Sequence, residues 1–305
     1  MSLFVEGAAG AIRGGTSILY GGLGESVAER SGVVNLGTEG SMLAGALAGY
    51  AVAAETGSPW LGVVGGIIAG ALLAAVHAYF VLSRGTNQLA TGLVVLFLGL
   101  GLTSLFGASY VQAIVEPLKP WAIPGLSKIP VIGPVAFRHD PLTYVSFGAV
   151  PISWWLIARS RWGLLLRAAG ERGHVVAAYG HNVTRIRYSA VICGGALAGL
   201  GGAHLSIAYT LAWFENMVQG RGFIAVAVVM FAARQPFKVA AGAYLFGAAL
   251  ALAPALQARG FAINQFALDA LPYFAILVVL IALGRKRAAE VPEGLAAVFE
   301  VSARS

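Results

Sequence analysis

Gly24-Glu25-Ser26-Val27-Ala28-Glu29-Arg30-Ser31-Gly32-Val33-Val34-Asn35-Leu36-Gly37-Thr38-Glu39-Gly40 is a polar island between two apolar stretches. Three carboxylates, one arginine and one asparagine at membrane depth are costly unless they pair or meet water. Glycines at 32, 37 and 40 weaken a helix, and irregular backbone survives in a bilayer only where protein packs it or it lines a cavity. The island therefore reads as a short loop or as an unwound, functional break in a spanning helix. Glu25, Glu29 and Arg30 are expected to pair with one another and so fix that break.

The rest of the chain explains why membrane depth is the right frame. Of 305 residues, 58% are hydrophobic and 11% charged, against about 25% charged in a soluble domain. Too little polar surface exists to cover a soluble particle, so lipid must be the outer solvent. The fold class is all-α, a polytopic helical membrane protein. Forty-one glycines suit it, because small residues let helices approach where lipid offers no hydrophobic drive. Cys193 is the single cysteine, which excludes an intrachain disulfide framework and a multi-cysteine metal site. Met1-Ser2-Leu3-Phe4-Val5-Glu6 lacks a basic region ahead of an apolar run, so no removable signal peptide is expected.

Spans of about 20 apolar residues are expected near 8–24, 37–54, 59–83, 88–107, 141–158, 187–210, 239–257 and 270–284. Phe223–Ala233 is apolar but too short to cross alone, and reads as a re-entrant or half-spanning helix entered through Gly220-Arg221-Gly222. That makes about nine membrane segments. Arg84, the arginines between 159 and 187, Arg234, Lys238 and Arg285-Lys286-Arg287 all fall on one side, the cytoplasm by the positive-inside rule. The proline-rich connection 108–140 and the N-terminus then lie outside. The net charge of +7 follows from the inward loops and gives no support to a nucleic-acid partner.

Gly62, Gly66 and Gly70 share one helix face, as do Gly195, Gly199 and Gly202; packing within one subunit is the expectation, a subunit interface the alternative. Gly32–Gly40 with its following span echoes Gly220–Ala233 with Gly242–Ala249, and paired interrupted segments point to a central pathway. No phosphate-binding Gly-x-x-x-x-Gly-Lys loop occurs, the five histidines are scattered, and no nucleophile motif frames a serine. The chain is therefore expected not to be an enzyme and to hold no cofactor or metal. Energy for uphill movement must come from an ion gradient acting through Glu25, Glu29 or Glu39, or from a partner ATPase pressing on a cytoplasmic surface. In 159–187, a short helix from about Glu171 is expected to stop at Gly180, with Val175 and Tyr179 on one face. It serves either a docked partner or the lipid surface. Asn182-Val183-Thr184 reads as the cap of the next span.

Glu29-Arg30-Ser31-Gly32-Val33-Val34-Asn35-Leu36-Gly37-Thr38-Glu39-Gly40 resembles the signature of bacterial ATP-binding-cassette (ABC) permeases for nucleosides and simple sugars, within the branched-chain amino-acid permease superfamily. Arg167-Ala168-Ala169-Gly170-Glu171, with Ala177-Ala178-Tyr179-Gly180-His181-Asn182-Val183, resembles that family's ATPase-coupling loop. The blocks Gly194–Ala203, Phe214–Ala225 and Leu271-Pro272-Tyr273 follow in the family's order, so the likeness covers nearly the whole chain. Where the family has glycine after the Phe223 helix, this chain has Ala232-Ala233-Arg234.

The resemblance implies a multi-pass importer permease of the bacterial plasma (inner) membrane, one domain over 1–305, with a coupling loop at 159–187 and a cytoplasmic tail at 285–305. Its implied partners are cytoplasmic ABC ATPases, a second permease subunit expected to be a paralogue, an extracytoplasmic substrate-binding protein, and lipid. A branched-chain amino-acid permease and a self-contained ion-coupled carrier or channel are the alternatives. Gly170, Glu171, Arg172, His174, Val175, Val176 and Tyr179 would serve ATPase coupling. Asn35, Glu39, Phe214, Asn216 and Phe223 would line the substrate pathway, offering hydrogen bonds and flat aromatic faces to a nucleoside.

Overall fold

The computed structural model describes residues 3–257 and, beyond them, only Ala270, Phe274 and Val278. The expected span at 270–284, the Leu271-Pro272-Tyr273 block and the tail at 285–305 lie outside the described residues, and the count of nine segments with them. The described chain is predominantly helical, as its composition demands. Among the described residues, five helical runs are long and apolar enough to cross a bilayer: Pro59–Ser83, Gln88–Tyr110, Pro141–Arg159, Val183–Tyr209 and Pro236–Gln257.

α1 (Leu3–Arg30) enters the polar island and does not stop at its edge. Glu25-Ser26-Val27-Ala28-Glu29-Arg30 contains no glycine or proline, so helix continues as long as its charges find partners elsewhere. The expected span 8–24 is therefore too short, and only Ser31–Gly37 is irregular. Gly32 ends α1 at φ +87°, where Gly32 N donates to Glu29 O and Val33 N to Ala28 O. That is the Schellman arrangement, which needs a left-handed residue and so favours glycine. α2 (Thr38–Thr56) follows, then α3 (Pro59–Ala78), which widens into a π segment at Tyr79–Ser83, and α4 (Gln88–Gly107).

The connection 108–140 holds one two-stranded antiparallel sheet, β1 (Trp121–Ala122) with β2 (Arg138–His139), and the short α5 (Ile132–Ala136). Asp140 caps α6 (Pro141–Arg159) by accepting Thr143 N at 2.9 Å. α7 (Arg161–Ala178) lies beyond the end of α6, and α8 (Val183–Ala203) returns, closing in a second π segment at His204–Tyr209. Asn182 caps α8 by accepting Arg185 N at 3.0 Å. α9 (Arg221–Phe231) and α10 (Pro236–Gln257) complete the described chain.

α8 is the axis. In its apolar stretch 78% of the residues are buried, against 28% in α4 and α6, because α1, α2 and α3 all pack on it. Gly24 meets Gly194, and Ser17 and Tyr20 meet Gly201, so α1 runs antiparallel to α8 along its length and crosses beside it. The glycine faces of α3 and α8 pack on one another and on α2, within this subunit. A methyl at Gly199 would lie 2.2 Å from Gly66 O and 3.0 Å from Gly70 Cα. Neither backbone can yield without parting the helices. Gly199→Ala is expected to cost about 1–3 kcal/mol of stability through overpacking, read as a lowered melting temperature in detergent. An unchanged melting temperature would mean the α3–α8 crossing is looser than drawn.

Two ends of the bundle differ in charge. Ser83 Oγ meets Tyr188 Oη at 2.6 Å, Val34 N donates to Gln88, and Arg30 donates to Ala233 O, so these loops share one end. Arg84, the arginines of 159–187, Arg234 and Lys238 therefore gather there. Glu55 with Tyr110, and Leu118 with Ile207, mark the opposite end.

Candidate functional site

The segment 210–231 is a broken crossing. α8 and its π segment finish at the end opposite the arginines, whereas α10 starts beside them. α9 contributes eleven residues, about 16 Å at roughly 1.5 Å per residue, or half of a roughly 30 Å hydrocarbon core. Irregular chain from Thr210 to Gly220 supplies the other half, so the expectation of a re-entrant or half-spanning helix resolves in favour of half-spanning. Trp213, Met217 and Val218 pin that irregular chain by burying against Met42, Leu43, Ala46 and Tyr50 of α2. Leu211, Asn216 and Gln219 have φ of +56°, +55° and +50°, a left-handed path that side chains other than glycine rarely take. Phe214, Asn216 and Phe223, expected on the pathway, are each exposed, as is Glu215, whose Oε1 accepts from Ser104 of α4.

A helix that begins inside the membrane needs acceptors for its first N–H groups. Gly220, at the N-cap of α9, has no side chain to offer. Glu39 supplies them from α2. Its Oε1 accepts Gly220 N at 2.7 Å, and its Oε2 accepts Gly222 N at 2.6 Å and Phe223 N at 3.3 Å. A carboxylate on three backbone donors at a helix N-terminus is favoured by the helix dipole as well as by the bonds. Glu39 is only 4% exposed.

The other polar residues of the island are held as firmly. Glu25 accepts Asn35 N at 2.8 Å and Thr38 Oγ1 at 2.9 Å, closing the break on the helix before it. Asn35, 2% exposed, accepts Gly37 N at 2.9 Å through its own Oδ1. Glu29 pairs with Arg234 at 2.8 Å, both buried. The expected mutual pairing of Glu25, Glu29 and Arg30 is thus corrected. Glu25 reaches across the break to Asn35 N and Thr38 Oγ1, whereas Glu29 and Arg30 both reach the turn after α9, Glu29 to Arg234 and Arg30 to Ala233 O. Arg234 had read as a loop charge. The signal that it goes inside was the surplus of carboxylates over the single arginine of the island. The bare glycine that starts α9 signals that a cap must come from another element, though not which residue supplies it.

Ala233 and Arg234 take φ of +49° and +59°. The turn after α9 therefore keeps left-handed geometry with no glycine in it, and that geometry delivers the Arg234 guanidinium to Glu29.

α7 is one element with a kink. Arg172 at φ −142°, ψ 73° splits it into Arg161–Glu171 and a terminal piece ending at Ala178. Gly180 at φ +83° closes it, with Gly180 N on Ala177 O and His181 N on Val176 O, the same Schellman arrangement as at Gly32. Glu171, Arg172, His174, Val175 and Tyr179 are exposed, Tyr179 by 81%. Gly170 and Val176 are not. Both are buried, Gly170 against the backbone of Arg30 and Gly32. Of the seven residues expected to serve coupling, these two therefore lie inside the subunit and the other five on its surface.

The profile of a family described as branched-chain amino acid transport system / permease component matches residues 8–283. The chain is 42% identical over 252 residues to a putative glucose ABC transporter permease protein of Haloferax volcanii, covering 81% of this chain and 75% of that one. It is 32% identical over 244 residues to the guanosine ABC transporter permease protein of Bacillus subtilis, covering 75% and 76%. It is 29% identical over 288 residues to the nucleoside ABC transporter permease protein of Lactococcus lactis subsp. cremoris, covering 88% and 90%. No solved structure matches it.

Proposed function

The chain belongs to the branched-chain amino acid transport system permease family, as a multi-pass membrane subunit of an ABC transporter, and from that premise we propose that its cargo is a nucleoside or a simple sugar. The relatives whose names give a cargo name glucose, guanosine and nucleosides. The observation that carries the reading is the broken crossing, which leaves Phe214, Asn216 and Phe223 uncovered beside a half-helix anchored by Glu39. Two aromatic rings and an amide offer a flat surface and hydrogen bonds, the chemistry that a base or a sugar ring engages. Asn35 and Glu39 serve this pathway from behind, by holding its backbone, since their acceptor oxygens are already committed to N–H groups.

The end that gathers the arginines is assigned to the cytoplasm by the positive-inside rule. There α7, within the loop 159–187, presents Glu171, Arg172, His174, Val175 and Tyr179 to a nucleotide-hydrolysing partner, while a binding protein delivers cargo to the opposite end. A second permease subunit completes the passage, and hydrolysis belongs to the partner. An ion-coupled carrier fits less well. Such a carrier needs a carboxylate free to exchange a proton or bind a cation, and Glu25, Glu29 and Glu39 are each engaged by N–H, hydroxyl or guanidinium donors.

The test is uptake of labelled guanosine, glucose and leucine into proteoliposomes carrying the chain alone or with its co-purified partners and ATP. ATP-dependent uptake of guanosine or glucose, only with partners present, is the expected result. Accumulation by the chain alone, or uptake of leucine in preference to both others, overturns the proposal.

A further inference from the structure

Where α7 meets the break after α1, two backbones touch with no side chain between them. A methyl on Gly170 would lie 2.3 Å from Arg30 O and 3.2 Å from Gly32 N, and one on Gly32 would lie 3.3 Å from Gly170 Cα. Arg187, on α8, spans this contact. Its Nε donates to Ser31 O at 3.1 Å, and its Nη2 donates to Ala169 O at 2.9 Å. Both acceptors lie at or near the C-terminal end of a helical run, where carbonyls lack helical partners and a cation is favoured.

From that junction, short stretches of helix and short polar bonds lead to the half-helix. Glu25, on the last turns of α1, holds Asn35 and Thr38 across the break. Thr38 opens α2, and its neighbour Glu39 grips the start of α9. Glu29, one turn past Glu25, holds Arg234 beyond the other end of α9. The half-helix is thus tied at both ends to the residues flanking the break, and the break is tied to α7.

Resting on the reading of α7 as the surface that a partner ATPase moves, we propose that Arg187 is a positioning residue for transport. It clamps Ala169 to Ser31 and so carries displacement of α7 through the break to α9. A planar guanidinium with two N–H bonds to separate carbonyls fixes distance and angle together, which a single-point lysine cannot. The Gly170–Gly32 contact adds stiffness, because packed backbone shifts as a body where a side chain could re-pack and absorb the motion. The kink at Arg172 lies between the clamped and the docking halves of α7, so the docked half acts on Ala169 and Gly170 across very little chain.

The experiment uses the full complex with its ATPases, in a Cys193→Ala background carrying Phe223→Cys as the reporter. Maleimide labelling of that cysteine is timed with and without ATP and vanadate, and ATPase co-purification is scored in parallel. Arg187→Gln and Gly170→Ala are expected to retain the bound ATPase while the nucleotide-dependent ratio of labelling rates falls roughly 3- to 10-fold. Arg187→Lys should be intermediate, a graded loss that misfolding does not give and the variant that carries the test if Arg187→Gln fails to assemble. Tyr179→Ala, on the exposed face, should lose the ATPase itself. If Tyr179→Ala abolishes the ratio while Arg187→Gln, Arg187→Lys and Gly170→Ala leave it unchanged, displacement travels by another route and the proposal is wrong, though α7 still docks the ATPase. If Tyr179→Ala leaves both the bound ATPase and the ratio intact, the docking reading fails and the proposal falls with it.

Discussion

Glu39→Ala is expected to eliminate measurable uptake and to destabilise the protein by about 3–5 kcal/mol. Three N–H groups, of Gly220, Gly222 and Phe223, would be left in a buried site with no acceptor, and each unsatisfied buried donor costs roughly 1–3 kcal/mol before any relaxation. A methyl group restores none of them. Water could fill part of the gap, which is why the expected loss is below the sum. Glu39→Gln separates this structural role from direct contact with cargo. One amide oxygen can still accept, but the NH2 then faces an N–H donor and the charge that complements the helix dipole is gone. An anchor predicts that Glu39→Gln lowers melting temperature and maximal uptake together. A cargo ligand predicts a raised KM with the melting temperature unchanged. Thermal unfolding in detergent, read beside uptake kinetics for the same preparation, decides between them, and wild-type values on both would remove Glu39 from the mechanism.

Much of the fold could be read before any coordinates, and the reason is lipid. With so few charged residues, each apolar run of span length had one physical fate. The expected spans at 59–83, 88–107 and 141–158 meet α3 with its π segment, α4 and α6 almost residue for residue. Local signals held for the same reason: Gly180 closes α7 through contacts within six residues, and Asn182 caps α8 through its own side chain. What could not be read were partners far along the chain. Glu29 and Arg234 are separated by 205 positions and Glu39 and Gly222 by 183, and no local pattern encodes either pairing. That gap explains the misplaced end of α1. Glu29 and Arg30 looked like a reason to unwind because their partners, Arg234 and Ala233 O, were out of sight. The inward turn of Gly170 and Val176 was missed likewise, since the face of α7 that packs is set by the break it rests on.

The largest penalty after the loss of Glu39 belongs to Arg234. Arg234→Ala leaves the Glu29 carboxylate 1% exposed with its guanidinium partner removed, and breaking a buried pair from one side costs about 3–5 kcal/mol, because the remaining charge has no solvent to return to. The double variant Glu29→Gln, Arg234→Ala should be the more stable of the two, since neither charge is then buried. The shape of the turn sharpens the test. Arg234 stands at φ +59° directly after Ala233 at +49°, and left-handed backbone costs a residue with a side chain roughly 1–2 kcal/mol that glycine avoids. Arg234→Gly therefore loses the ion pair but relieves the backbone, and should lie about 1 kcal/mol above Arg234→Ala. Arg234→Lys keeps a charge but not the guanidinium fork and should fall between wild type and Arg234→Gly. The ranking by melting temperature is thus wild type, Lys, Gly, Ala. If Ala matched wild type, Glu29 would be finding water or another cation, and α9 would be free at the end where it is drawn as tied.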